Sequence, residues 1–228
     1  MTQPITVCLA GASGLVGREL MQILAHVEGI AKIIALTRSP LGKIPPHVDN
    51  LIVNFDQIEN HSHSLHADIF VCCLGTTLKK AGSKKEFERV DFDYALKFAK
   101  VAESVGAKKL LIITSMGADS ESFFFYNRVK GQIENAVKKL AIPQIEIFRP
   151  SLIIGNRKEQ RLAEEWAQKF SPVFNALCIG PLQKYRSITA TDIAKAMAIA
   201  SMNYNVGLFV YSSDEIQKIA SGLNSSIS

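Results

Sequence analysis

Seven residues near the amino terminus constrain this 228-residue chain more than any others: Gly11-Ala12-Ser13-Gly14-Leu15-Val16-Gly17. They follow an apolar, β-type run, Ile5–Ala10, and open a segment whose apolar residues recur at helical spacing: Leu15, Leu20, Ile23, Leu24 and Val27. A strand that passes into a helix through three glycines has few ways to be built. Gly11 allows a tight turn with unrestricted φ. Gly14 lets backbone N–H groups approach a ligand, and Gly17 lets helix and strand pack closely.

The rest of the chain repeats the strand–helix alternation. Residues 33–37, 51–55, 69–74, 110–114 and 145–148 read as strands, several of them apolar at nearly every position. Such strands belong in a parallel sheet covered on both faces. Residues 84–105 and 123–140 carry helical patterns between them. The alternation predicts right-handed crossovers and an α/β fold, a doubly wound parallel sheet of the Rossmann type. The polar link at 56–68 is expected to lack a full helix. After Pro150 the pattern loosens: 157–170 and 191–202 read as helices, 207–211 as a strand and 221–228 as a polar tail. Thr191 or Thr189 is placed to cap the second of these helices. We read 1–228 as one domain, with 151–220 contributing a small carboxyl-terminal lobe on the substrate side.

Hydrophobic residues make up 47% of the chain and charged residues 21%, enough for a sizeable core. Three of the four cysteines lie in apolar runs and none forms a CxxC pair, which predicts free thiols in a reducing compartment. The opening Met1-Thr2-Gln3-Pro4 has no basic leader region, and no apolar stretch approaches the ~20 residues of a membrane span. We therefore expect a cytoplasmic protein with no membrane partner. The net charge of +5 comes from scattered lysine pairs without interleaved aromatics, which argues against a nucleic-acid partner.

The glycine loop sits where a dinucleotide fingerprint must sit, between the first strand and its helix. The diphosphate would face the helix amino terminus, over the backbone of Gly11, Ser13, Gly14, Leu15, Val16 and Gly17. An NAD-specific site offers a carboxylate at the end of the second strand. Here that strand ends in Thr37-Arg38-Ser39. Arg38 supplies a planar cation suited to a 2′-phosphate, which favours NADP(H) over NAD(H). Asp56, just past the third strand, is placed either to contact the adenine or to serve turn chemistry. Leu74-Gly75-Thr76-Thr77 ends the fourth strand, along the rim where the cofactor would lie.

Tyr126 and Lys130 are four residues apart on one helical face, and the preceding strand ends at Thr114-Ser115. Carbonyl reduction needs a hydride and a proton. A nearby ammonium favours the phenolate form of a tyrosine, bringing Tyr126 towards acid–base work. Ser115 can hold the substrate oxygen, and Lys130 can also bind the nicotinamide ribose. The implied partner is a small or medium carbonyl or alcohol.

These residues resemble the short-chain dehydrogenase/reductases in their atypical branch, closest to the Tat-interacting-protein-like oxidoreductases and their bacterial relatives. The likeness rests on the glycine loop, Cys72-Cys73-Leu74-Gly75-Thr76-Thr77, Val90-Asp91-Phe92-Asp93-Tyr94, Thr114-Ser115-Met116-Gly117-Ala118-Asp119, Tyr126-Asn127-Arg128-Val129-Lys130-Gly131 and Phe148-Arg149-Pro150. It covers about two-thirds of the chain and implies a Rossmann core, NADP(H) and the trio Ser115, Tyr126 and Lys130. It leaves two alternatives open: a non-catalytic NADP(H)-binding sensor with a protein partner, and an epimerase that keeps its cofactor bound. Phe123-Phe124-Phe125 either line a pocket or pack. Ile153, Ile154, Trp166, Phe170 and Tyr185 are candidates for an apolar substrate wall. His61, His63 and His66 share a polar loop that lacks a complete metal-ligand set, and we expect no metal.

Overall fold

The computed structural model describes residues 4–154 and 186–222. Seven strands form one parallel sheet: β1 (Ile5–Ala10), β2 (Ile30–Thr37), β3 (Val48–Ile52), β4 (Ile69–Cys72), β5 (Lys109–Ile113), β6 (Gln144–Arg149) and β9 (Gly207–Ser212). Their spatial order is β3-β2-β1-β4-β5-β6-β9. The order reverses between β1 and β4, and that switch point opens the crevice where doubly wound sheets bind ligands. A two-stranded sheet pairs β7 (Ile153–Ile154) with β8 (Ile188–Thr189).

The near-continuous apolar strands divide their residues between two cores by simple alternation. Val7, Leu9, Ile33, Ala35 and Val71 face α1 (Leu15–Leu24), α6 (Ala190–Met202) and α7 (Ser213–Gly222). Cys8, Ala10, Ile34, Leu36, Phe70 and Cys72 face α4 (Ala95–Ser104) and α5 (Phe125–Val137). Both layers are built of buried apolar side chains, and the sheet's carboxyl rim carries the connecting loops.

The structure shifts several expected boundaries. The third strand runs Val48–Ile52 and not 51–55. Its register against β2, Ile33 with Val48 through Thr37 with Ile52, uses up the partner strand. Asn54 then accepts the Asp56 N–H and starts a 3₁₀ segment, Phe55–Ser64, which drops Phe55 and Ile58 into the core. The expected long helix at 84–105 is α3 (Lys84–Glu88), a π-helical turn (Arg89–Tyr94) and α4 in succession. Before them lies the short α2 (Leu78–Ala81). Thr189, not Thr191, caps α6.

The 151–220 stretch divides. Residues 190–222 join the main body: α6 packs on α1 and α7, and β9 extends the sheet beside β6. Ser221 and Gly222, placed in the polar tail, finish α7. The helix expected at 157–170, together with Trp166, Phe170, Cys178 and Tyr185, lies outside the described residues.

Candidate functional site

The glycine loop is interlocked by contacts that only hydrogen permits. Gly11 has φ +85°, and a Cβ there would lie 2.5 Å from the Cys73 carbonyl oxygen. A Cβ on Gly17 would lie 2.2 Å from the Gly11 carbonyl oxygen. The Gly14 N–H donates to that same oxygen at 2.9 Å. Gly14 is the N-cap of α1, and no side chain caps the helix or adds an acid to its first turn. The first-turn amides therefore face the crevice with the positive end of the helix dipole. The observation fits an anionic diphosphate: a cradle closed to any Cβ, under an uncapped helix end.

Gly11, Ser13, Gly14, Thr37, Arg38, Leu74 and Gly75 line one cleft with Leu36, Phe55, Cys73, Val90 and Tyr94. Leu15, Val16 and Gly17 form the first turn of α1 beside it. Arg38 is exposed and has no ion pair or hydrogen bond among the described residues. Thr37 is 3% exposed, and its hydroxyl is committed to the protein. It donates to the Ser39 carbonyl at 2.7 Å and accepts from Asn50 Nδ2 at 2.7 Å. Thr37 thus shapes the turn that presents Arg38. Asp56 is not among the residues that line the cleft, and its carboxylate is taken up by the protein. Arg89 donates to it at 3.2 and 2.5 Å and the Tyr94 hydroxyl at 3.2 Å. The Arg89 bonds hold its carboxyl below the usual aspartate range.

Of the catalytic candidates, Ser115 lies just beyond β5, and Tyr126 and Lys130 lie on α5. Lys130 is 5% exposed, and its ammonium lies 2.6 Å from Asp91 Oδ1. Burial works against that charge, but Asp91 and then Tyr126 outweigh it and hold the amine above the ordinary lysine value. Tyr126 is 38% exposed, its ring 5.5 Å from that of Phe87. Ser115 is 8% exposed, and its hydroxyl is an unpartnered buried oxygen. Unpartnered buried hydroxyls are rare and point to a ligand group.

Local sequence explains why these side chains share a rim. The loop after Ser115 is folded down onto α5, where a Cβ on Gly131 would lie 2.1 Å from the Ser120 nitrogen. The Asp119 N–H bonds the Asn127 carbonyl. The Thr114 hydroxyl donates to buried Glu134 at 2.7 Å, and Arg149 grips the same carboxylate. Helix α5 is thereby pinned to the ends of β5 and β6. Burial pushes the Cys72 thiol, beside Lys130, up to about 11.

Asp91 escaped the sequence reading as a site residue. The signal was present: Asp91 lies four residues after Phe87 and three before Tyr94, a carboxylate on an otherwise apolar helical stripe. Elsewhere, Phe125 packs on Phe87 while Phe123 and Phe124 stand exposed. Ile153 and Ile154 are half-buried in β7. Among the described residues no group of three His, Cys, Asp or Glu side chains is placed to hold a metal ion.

The HIM1 family model matches residues 51–180. The chain belongs to the HIM1 family. Among its HIM1 relatives, Protein HTATIP2 of Rattus norvegicus is 34% identical over 72% of this chain and 69% of its own length. Protein fmp52, mitochondrial, of Emericella nidulans is 36% identical over 72% and 74%. Protein FMP52, mitochondrial, of Candida albicans is 29% identical over 95% and 98%. Among solved structures, the fold resembles the Bordetella bronchiseptica enzyme WbmH in complex with NAD+. That likeness has a TM-score of 0.69 and 12% identity, over 97% of this chain and 81% of that one. It also resembles the human epimerase family protein SDR39U1 with NADPH, with a TM-score of 0.62 and 17% identity over 91% and 74%. This HIM1 member thus shares its Rossmann fold with proteins solved with NAD+ and with NADPH. The expected cytoplasmic location is overturned by the fungal HIM1 relatives, which are named mitochondrial. Free thiols report a reducing medium, and more than one compartment provides it.

Proposed function

We propose that this chain is an NADP(H)-dependent oxidoreductase that reduces the carbonyl of a small or medium molecule, or oxidises the corresponding alcohol. The observation that carries the reading is the polar set on one rim: the bare α1 amides, free Arg38, the unpartnered Ser115 hydroxyl and Tyr126 beside the charged Lys130. Related folds hold NAD or NADPH, and the mitochondrial names of the fungal relatives favour that setting.

The bound nicotinamide would supply or accept hydride. Every other task falls to backbone and side-chain groups of this chain. The glycine loop and α1 amides hold the diphosphate, and Arg38 meets a 2′-phosphate. Ser115 Oγ donates to the carbonyl oxygen and fixes it. Tyr126 Oη delivers the proton to that oxygen in reduction and takes it back in oxidation. Lys130 orients the ribose and places its ammonium next to the phenol.

A carbonyl panel with NADPH tests the activity. Tyr126→Phe should lower kcat/KM by about 10²-fold or more while nucleotide affinity stays unchanged. NADPH binding without turnover across the panel would make the protein a sensor and overturn the enzymatic reading. Arg38→Asp should weaken NADPH binding by roughly 10–100-fold, the loss of a charge-assisted contact, and leave NADH almost unaffected. Equal losses for both nucleotides would remove the phosphate assignment.

A further inference from the structure

The Lys130 ammonium is buried deeply enough that, alone, it would shed its proton. What keeps it charged lies on another element. Asp91 belongs to the π-helical turn Arg89–Tyr94, and its carboxylate ties three pieces of the rim together. Oδ1 meets Lys130 of α5 at 2.6 Å, and Oδ2 accepts the Thr76 N–H of the β4 exit loop at 2.9 Å. The loop backbone lies close over the pair. A Cβ on Gly75 would lie 3.5 Å from Asp91 Oδ1 and 3.8 Å from the Lys130 nitrogen.

The π turn explains how a carboxylate reaches this place. One end of the helical run must seat Phe87 against Phe125 and Tyr126, with ring centroids at 5.7 and 5.5 Å. The other end stacks Tyr94 on Phe55 at 5.6 Å. A wider turn between the two contacts leaves Asp91 on the buried side, 2% exposed. Such turns interrupt α-helices most often at functional sites.

We infer that Asp91 is a positioning residue: it holds Lys130 as one half of a buried, charge-balanced unit behind Tyr126, and couples that unit to the loop on which the nicotinamide end of the cofactor would rest. The inference rests on the reductase reading for its catalytic consequence, and on the ion-pair geometry alone for its structural one. The groups facing the Lys130 amine are Asp91 from the π turn, Tyr126 from its own helix and Cys72 from β4. Of these, Asp91 alone brings a carboxylate, at 2.6 Å.

The test is Asp91→Asn, which retains an acceptor for the Thr76 N–H and removes the charge. A lysine-selective NMR titration of the Lys130 side chain should show the native amine protonated beyond the ordinary lysine range, whereas in the variant it loses its proton at least about 2 pH units lower than in the native protein. In parallel, kcat/KM of the variant should fall about tenfold or more between neutral pH and pH 9 while the native profile stays flat over that range. NADPH affinity, followed by fluorescence, should decline over the same pH window. An unchanged titration overturns the proposal, and so does a loss of activity by one factor at every pH, the mark of a merely structural residue. The native titration needs no variant, and it remains decisive if Asp91→Asn fails to fold. Absence of any turnover would sink the reductase reading but leave the NMR result standing.

Discussion

The sheet buries two lysine–carboxylate pairs, one near each rim, and they behave differently. At the amino rim, Lys109 and Glu146 are each 1% exposed and 3.6 Å apart. Lys109 donates to the carbonyls of Ala200 at 2.5 Å, Ser201 at 3.3 Å and Asn203, so it closes the carboxyl end of α6. Gln144 adds bonds to Glu146 and Asn203. Burial outweighs Glu146 and lowers the Lys109 value, and burial likewise raises Glu146. Burial and Glu146 together push the Tyr211 phenol up to about 12. At the carboxyl rim the Lys130–Asp91 pair is tighter, at 2.6 Å, and Lys130 is raised. Lys109 has its donors consumed by backbone carbonyls. Lys130 makes an ion pair with Asp91 and sits beside the partly exposed phenol of Tyr126. The two chemically similar pairs differ in whether the lysine's own donors are used up by backbone carbonyls, and the proposed difference in role rests on that.

The largest effect should come from Lys109→Ala. It leaves Glu146 buried without its cation and the end of α6 without its donor, at a cost of about 3–5 kcal/mol in urea unfolding. Nucleotide affinity of the folded protein should not change. A parallel collapse of affinity would erase the distinction between the rims. Next in size are two apolar replacements of whole pairs. Lys109→Met with Glu146→Leu should recover most of the stability lost in the single variant, because no isolated buried charge remains. Lys130→Met with Asp91→Leu should fold comparably yet lose turnover by about 10²-fold or more. If the second double variant keeps its activity, the carboxyl-rim pair is as structural as the other.

The smallest effect is acid sensitivity, which should appear at both rims alike. The Arg89 hydrogen bonds lower Asp56. Burial raises Asp68, but Lys108 and the Thr6 N–H outweigh it, so Asp68 is also lowered. Carboxyls lowered on folding stabilise the native state above the ordinary aspartate value of about 4 and lose that contribution as pH falls through their folded values. Thermal midpoints should drop below about pH 4, and Asp68→Asn should flatten part of that drop. An unaltered acid limb in Asp68→Asn would show that the ion pair with Lys108 contributes nothing.

Much of this fold was legible because parallel strands buried on both faces leave runs of apolar residues that few other structures tolerate. The glycine loop was equally plain, since Gly11 and Gly17 admit no side chain at all. The misplaced third strand has a clear cause. Leu51, Val53 and Phe55 alternate like a strand, yet pairing with β2 ends at Ile52, and Phe55 serves the core from a 3₁₀ turn. The π turn left no trace in the sequence, where Phe87, Val90, Tyr94, Phe98 and Val101 recur at ordinary α-helical spacing. For Asp91 the apolar stripe of Phe87 and Tyr94 was a hint of burial, but the partner that gives it a role, Lys130, is brought up only by tertiary packing.

The contact between Gly17 and the Gly11 carbonyl has a kinetic corollary. A socket whose shape is set by backbone touching backbone is complete before any guest arrives. Capture then costs the guest its tumbling freedom and demands little reordering from the host. Stopped-flow mixing should record a single exponential whose rate climbs in proportion to nucleotide concentration and reaches no plateau.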